Sequence, residues 1–151
     1  MPSPNAVDEI LNFAITREEE SRDFYTDLAK NMENPAMRKV FLDFAGEEQK
    51  HKIKLEEVKR GKTFALKKEK INDLRIAEYL VIDDRGSKMD YQHSLVLAMK
   101  REKKAFQLYT NLADAAQDEN IRNLFLYLAQ EEAKHKLMIE IEYDEHVLKD
   151  N

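Results

Sequence analysis

The chain carries two matched sets of carboxylates and imidazoles, and the spacing within each set suits a metal ion. The segment RKVFLDFAGEEQKHK aligns without a gap on RNLFLYLAQEEAKHK further along the chain. This offset of 84 residues places Glu48 on Glu132 and His51 on His135. Residues three apart on a helix lie on nearly the same face, about 4.5 Å apart along the axis. The glutamate and histidine of each Glu-x-x-His motif can therefore reach one ion.

The same offset extends the repeat to a second pair of glutamates. AITREEESRDFYTDLA aligns on AMKREKKAFQLYTNLA, which places Glu18 on Glu102. Four carboxylates and two imidazoles in this order form the ligand set of di-iron and di-manganese helical bundles. Two divalent cations would balance the four carboxylate charges, and neutral imidazoles would complete the coordination. The sequence thus predicts a dinuclear metal site with six ligands, which are Glu18, Glu48, His51, Glu102, Glu132 and His135.

All six candidate ligands fall at positions where helical periodicity places inward-facing, mostly apolar residues. On the first helix, Glu18 interrupts a stripe that runs from Leu11 to Leu28. A single inward glutamate can also set helix register, and one Glu-x-x-His motif is common in a Glu-rich helix. The match at polar positions in both halves favours metal binding, because four buried carboxylates would otherwise be very costly.

Several polar residues outside the ligand set also need an interpretation. The repeat also matches Tyr25 with Tyr109, each seven residues beyond the first glutamate of its half. These tyrosines are either core aromatics or hydrogen-bond partners of a ligating carboxylate. Four further residues are expected to be solvated or at the surface: Glu47, His93, Glu131 and His146.

Helix boundary signals divide the chain into four helices that would position these residues. A capping side chain precedes a proline at Ser3-Pro4 and at Asn34-Pro35, so helices are expected to begin near residues 4 and 35. The remaining signals are Gly61 at the end of the second helix and Asp90 and Asp118 before the third and fourth.

Composition agrees with an all-α protein, since 36% of residues are charged and only three are glycine and three proline. Residues 1–151 are predicted to form a single domain. We expect a four-helix bundle of two antiparallel hairpins, at about 4–60 and 90–148. A long crossover at about 61–89 would join them and contain a short helix near Leu74–Leu80.

Charge and hydropathy exclude several classes of partner. The net charge is −5 and basic residues are interleaved with acidic ones, so a nucleic-acid partner is not expected. No segment has the roughly 20 consecutive apolar residues that span a bilayer, and the N-terminus lacks a signal peptide pattern. A cytoplasmic location is therefore expected. The absence of cysteine rules out disulfides, iron–sulfur clusters and rubredoxin-type centres in these residues.

Taken together, these motifs resemble the rubrerythrin-like branch of the ferritin-like superfamily over nearly the whole chain. AITREEESRDFY, FLDFAGEEQKHK, LAMKREKKAFQLY and FLYLAQEEAKHK look like its four metal-binding helix motifs, and DLRIAEYL looks like its crossover. The resemblance implies that Glu48 and Glu132 bridge two metals and that Glu18 and Glu102 are terminal ligands. His51 and His135 would each bind one metal. Relatives often carry one more glutamate one turn after the third-helix ligand, where this chain has Ala105.

The resemblance implies two iron ions, with manganese or mixed occupancy using similar ligands. It further implies an oxidoreductase of oxidative-stress defence that reduces hydrogen peroxide or dioxygen with electrons from an external donor such as a rubredoxin. One alternative is ferrous-iron oxidation and iron handling without a storage cage. Another is a structural bundle stabilised by its metals. The apolar residues of IAEYLVI and LMIEIEY predict either a homodimer contact or cover for the bundle ends.

Overall fold

The computed structural model describes residues 4–61, 67, 76–81 and 90–149 of the 151-residue chain. Its elements in chain order are α1 (Pro4–Lys30), α2 (Pro35–Gly61), a 3₁₀ helix (Ile76–Tyr79), α3 (Tyr91–Ala115) and α4 (Glu119–Lys149). The helix starts expected near residues 4 and 35 and the helix end expected at Gly61 are confirmed. No helix in the described part of the chain has an apolar stretch long enough to cross a membrane.

The chain divides into two compact units, each built around one helix hairpin. In the first unit α1 packs along α2, and a turn at residues 31–34 joins them. In the second unit α3 packs along α4, and the 3₁₀ helix contacts α3. Residues 116–118 connect α3 to α4 in the sequence. Helices that pack side by side after so short a turn run antiparallel, as predicted. The single-domain assignment stays a prediction.

Side-chain caps explain where α2 and α3 begin. The Oδ1 atom of Asn34 accepts hydrogen bonds from the backbone N–H groups of Ala36, at 2.9 Å, and Met37, at 3.2 Å. The Oδ1 atom of Asp90 accepts one from the N–H of His93 at 2.8 Å. These bonds satisfy amide donors that have no partner within the first turn of a helix.

The other two predicted caps have different outcomes. The fourth helix begins at Glu119, directly after Asp118, as expected. Its first turn therefore carries an acidic residue, which favours the positive end of the helix dipole. The predicted cap at Ser3 lies outside the described residues.

The crossover contains the expected short helix, although it is a single 3₁₀ turn at Ile76–Tyr79. Tyr79 is 5% exposed, and its hydroxyl accepts a hydrogen bond of 2.6 Å from Nδ2 of Asn111 on α3. One turn therefore suffices to fix this segment to the second unit. The rest of the crossover expected at about 61–89 lies largely outside the described residues.

The inward positions predicted from periodicity are buried with few exceptions. The buried apolar residues on α1 and α2 include Leu11, Ala14, Tyr25, Phe41, Phe44, Leu55 and Val58. Those on α3 and α4 include Leu95, Ala98, Tyr109, Leu112, Phe125, Leu128 and Ile139. Leu28, at the end of the stripe predicted on the first helix, is only half-buried, as is Ala105 on α3. The core of each hairpin therefore follows the face on which the candidate ligands lie.

Candidate metal centre

The first unit gathers three of the predicted ligands into one buried cluster, which we call the first triad. Glu18 comes from α1, and Glu48 and His51 come from one turn of α2. They are 2%, 0% and 2% exposed, respectively. Nδ1 of His51 lies 3.6 Å from Oε2 of Glu18 and 3.7 Å from Oε1 of Glu48. One potential ligand atom from each residue lies within 4.8 Å of those of the other two.

The second unit contains an equivalent cluster, the second triad. Glu102 comes from α3, and Glu132 and His135 come from one turn of α4. Their exposure is 1%, 1% and 2%. Nδ1 of His135 lies 3.8 Å from Oε2 of Glu102, and the ligand atoms of the three residues again lie within 4.8 Å of one another. The structure therefore brings together each set of three that the sequence repeat singled out.

The distances within each triad fit residues that share a metal ion. Imidazole nitrogens and carboxylate oxygens bind transition metals at about 2.0–2.2 Å, so two atoms on one ion lie about 3.0–4.2 Å apart. The observed N···O separations of 3.6, 3.7 and 3.8 Å fall in this range. Imidazole with carboxylate is a donor set suited to iron and manganese.

Electrostatics also favours a cation in each triad. Two ionised carboxylates with oxygens no more than 4.8 Å apart, as in Glu18 and Glu48, repel by about 3.5 kcal/mol or more at an effective dielectric constant of about 20. Burial limits the screening of this repulsion by water. A divalent ion between the carboxylates would replace the repulsion with two attractions, so both triads fit a metal.

Apolar layers on either side of each triad keep water out. In the first unit, Phe44 lies one turn before Glu48, and Leu55 lies one turn after His51. Phe44 is 4% exposed and Leu55 is 0% exposed. In the second unit, Leu128 and Ile139 hold the corresponding positions and are 0% and 1% exposed. Each triad is therefore a polar layer between two apolar layers of the same hairpin.

The two matched tyrosines pack in the core as stacked aromatics. The ring of Tyr25 stacks on Phe41 with centroids 6.1 Å apart, and it meets Phe44 edge to face at 5.3 Å. Tyr109 stacks on Phe125 at 6.2 Å. Both tyrosines are 1% exposed. Both rings therefore pack in the core, and hydrogen bonding of their hydroxyls to a ligating carboxylate stays a prediction.

The residues expected at the surface are less uniform than predicted. His93 is exposed, and its Nδ1 lies 3.0 Å from Oδ1 of Asp90. His146 is half-buried, and its ring meets Tyr91 edge to face at 5.0 Å. Glu47 is also half-buried.

Glu131 is half-buried as well, with 18% of its side chain exposed. Its Oε1 accepts a hydrogen bond of 2.9 Å from the hydroxyl of Tyr127, and its Oε2 lies 3.4 Å from Nζ of Lys134. The carboxylate therefore pairs with two exposed side chains of its own helix, and its assignment as solvated rather than coordinating stays a prediction.

The sequence analysis did not single out Arg101, which directly precedes Glu102 and is only 7% exposed. Its counterpart in the first unit is Arg17, which lies 2.9 Å from Glu20 and over the ring of Phe13. The second unit has Lys104 at the position of Glu20, so this ion pair is not repeated. The gap-free alignment of the two arginines was the signal that could have drawn attention to Arg101.

Comparison with solved structures shows the predicted ferritin-like fold. A chain from Thermotoga maritima, provisionally described as a ferritin-like diiron-carboxylate protein, is 21% identical with a TM-score of 0.76. That match covers 93% of this chain and 95% of the other. A hypothetical protein from Pyrococcus furiosus is 23% identical with a TM-score of 0.66, over 90% of this chain and 87% of the other.

Sequence comparison agrees with the fold. No curated protein sequence gives a significant match. The family model described as Rubrerythrin matches residues 9–85 and 93–149, which include both triads. Two buried carboxylate and imidazole clusters at repeated positions, on a ferritin-like fold, fit a di-iron carboxylate site. The chain therefore belongs to the rubrerythrin family.

Proposed function

We propose that the protein is a non-haem di-iron oxidoreductase that reduces hydrogen peroxide or dioxygen with electrons from a donor outside these 151 residues. The observation that carries the proposal is the presence of one buried Glu, Glu and His triad in each half of the chain. In this proposal the residues of the two triads would hold two metal ions, and Glu48 and Glu132 would be the ligands that the ions share, as the family resemblance implies. Family membership and the likeness to a diiron-carboxylate protein support it.

Each residue has a distinct task in the proposed centre. Glu18 and Glu102 hold one ion each from the first helix of their hairpin, and the imidazoles of His51 and His135 add a neutral ligand to each. Four carboxylates then match the charge of two divalent ions, so the buried site is neutral overall. The burial of all six side chains keeps this arrangement fixed and excludes bulk water.

When bound, two ferrous ions would supply the two electrons that reduce one hydrogen peroxide and two protons to two water molecules. The donor then has to return two electrons. The chain has no cysteine, so a donor with a rubredoxin-type centre would have to lie outside it. We propose iron on the basis of the family, although the ligands alone would also accept manganese.

Anaerobic titration of the metal-free protein with ferrous iron tests the proposal. We expect two tight sites per chain, and one equivalent of hydrogen peroxide should then produce the visible absorption of ferric iron. A reductant should bleach this absorption, and the two irons should stay bound over repeated cycles. Uptake of many irons per chain would instead support iron handling, and two bound irons without redox reactivity would support a structural role.

A matched pair of variants assigns the result to the triads. The Glu48→Gln change should abolish tight binding, because it removes a charged ligand from a fully buried position. The Glu47→Gln change at the adjacent, half-buried glutamate should leave two sites per chain. Equal iron binding by both variants would refute the assignment.

A further inference from the structure

A cavity of about 390 Å³ opens between α3 and α4 on the outer side of the second hairpin. Phe106, Ala133 and Leu137 form its apolar part, and the charged residues that line it are Lys103, Lys136 and Glu140. Phe106 is 39% exposed and Leu137 is 57% exposed, so solvent reaches the cavity. Its volume lies in the range of about 300–1,000 Å³ that is usual for small-molecule sites.

The sequence repeat shows that this cavity replaces polar bridges of the first hairpin. Lys103 and Lys136 align with Glu19 and Lys52. In the first unit Nζ of Lys52 lies 3.4 Å from Oε1 of Glu19, which forms an ion pair between α1 and α2. The second unit has two lysines at these positions, so a neutralised pair has become a pair of like charges.

The next pair of positions changes in a similar way. Phe106 and Ala133 align with Arg22 and Gln49. Nη1 of Arg22 donates a hydrogen bond of 2.6 Å to Oε1 of Gln49, so a polar bridge crosses the groove between α1 and α2. A phenyl ring and a methyl group form no such bridge between α3 and α4. The apolar part of the cavity is therefore a specific departure from the repeat.

The charge at the cavity is positive. Lys136 donates a hydrogen bond to Glu140, which partly neutralises it. Lys103 is exposed, and no acidic side chain within the described residues forms an ion pair with it. An anion can therefore approach Lys103 while an attached apolar group covers Phe106 and Leu137.

We propose that this cavity binds a small organic anion, in which a carboxylate or sulfonate is attached to an apolar body. The apolar body lies against Phe106, Ala133 and Leu137, and the anionic group pairs with Lys103. None of these four residues is a candidate metal ligand, so this site is independent of the proposed redox centre. The site nevertheless shares helical turns with the second triad, because Lys103 directly follows Glu102 on α3.

Fluorescence titration with anilinonaphthalene sulfonate, an aromatic sulfonate, tests this site on the intact chain. We expect saturable binding of one dye per chain. Binding should weaken as salt is added, because salt screens the contact with Lys103. Phenylnaphthylamine, a similar aromatic molecule without the sulfonate, should bind at least about tenfold more weakly. Equal affinity for the two probes would overturn the assignment of an anion site.

Three variants locate the dye. The double change Phe106→Arg with Ala133→Gln copies the polar bridge of the first hairpin and should abolish binding. The single change Lys103→Glu should weaken binding at least about tenfold while leaving the apolar surface intact. Lys50→Glu, at an exposed position of the first hairpin, makes the same change in net charge and should have no effect.

Two further outcomes would overturn the proposal. One is unchanged dye affinity in the Lys103→Glu variant, measured on protein whose circular dichroism and melting temperature match those of the parent. The other is no dye binding by the parent up to millimolar concentration. Sedimentation of the same samples would show whether, in that case, a second copy of the chain covers the cavity.

Discussion

Replacing Glu48 with glutamine separates metal binding from the packing of the first hairpin. Glu48 is 0% exposed, and one of its carboxylate oxygens lies 3.7 Å from Nδ1 of His51. Glutamine has nearly the same shape, so the surrounding apolar residues keep their contacts. The change removes one negative charge from a position that water cannot reach, and a neutral amide oxygen is a much weaker ligand for a divalent ion.

The expected effect follows from the stabilisation that bound metal gives the parent protein. At a free metal concentration of about 100 times Kd, each ion adds about 2.7 kcal/mol to the free energy of unfolding, and two ions add roughly twice that. A chain of this size gains about 2–4 °C in melting temperature per kcal/mol. Metal should therefore raise the parent's melting temperature by about 10–20 °C. If Glu48 bridges both ions, the glutamine variant should lose most of this rise.

Scanning calorimetry with and without manganous ion measures this difference and avoids iron oxidation during heating. Glu47→Gln is the matched control, because it removes the same charge from the neighbouring, half-buried position. We expect the control to keep the metal-dependent rise. The reasoning would be refuted if manganese raised the melting temperature of the Glu48→Gln variant as much as that of the parent.

Three further changes test other parts of the structure. Tyr25→Phe keeps the stacking on Phe41 and should change the unfolding free energy of the metal-free protein by less than about 1.5 kcal/mol. If the hydroxyl orients a ligand, the same change should lower manganese affinity about tenfold, as measured by calorimetric titration. Gly46→Ala should raise the free energy of unfolding, measured in urea, by about 0.5–1 kcal/mol. The position lies inside α2, and the added Cβ would meet no atom of another residue within 4 Å outside its own helix backbone. Burial and the hydrogen bond to Glu142 raise the pKa of Tyr91 above its ordinary value. Because the unfolded chain releases this proton more readily, the protonated Tyr91 stabilises the fold fully below about pH 10, and this stabilisation is lost as the pH rises further. Between about pH 8 and pH 11, the free energy of urea unfolding should therefore fall less for the Tyr91→Phe variant than for the parent.

The features that the sequence predicted well depend on local chemistry. The caps at Asn34 and Asp90 act on amides two or three residues away, so neighbouring residues alone locate the helix starts. The Glu-x-x-His spacing similarly places Glu48 and His51 on one face of the helix, independently of contacts with the rest of the chain. Periodicity then identified the buried face of each hairpin.

The features that the sequence analysis missed depend on which side chains meet across two helices. The cavity beside Phe106 exists because its neighbours on α4 are small or aliphatic, and no spacing rule on α3 alone reveals this. The partial burial of Glu131 was missed for a different reason, because it depends on a hydrogen bond from Tyr127 one turn earlier on the same helix. The crossover helix was located correctly, but four residues are too few for propensity to distinguish a 3₁₀ turn from an α-helix.

The short turn within each hairpin has a consequence for how the protein folds. Residues 31–34 and 116–118 join helices that are in direct contact, so the chain entropy lost on bringing each helix pair together is small. Proteins dominated by such sequence-local contacts fold quickly. Each triad is complete within one hairpin, so its three side chains can come together as soon as that hairpin forms. Newly synthesised protein should therefore acquire both triads early, and the supply of metal would govern only the last step of its maturation.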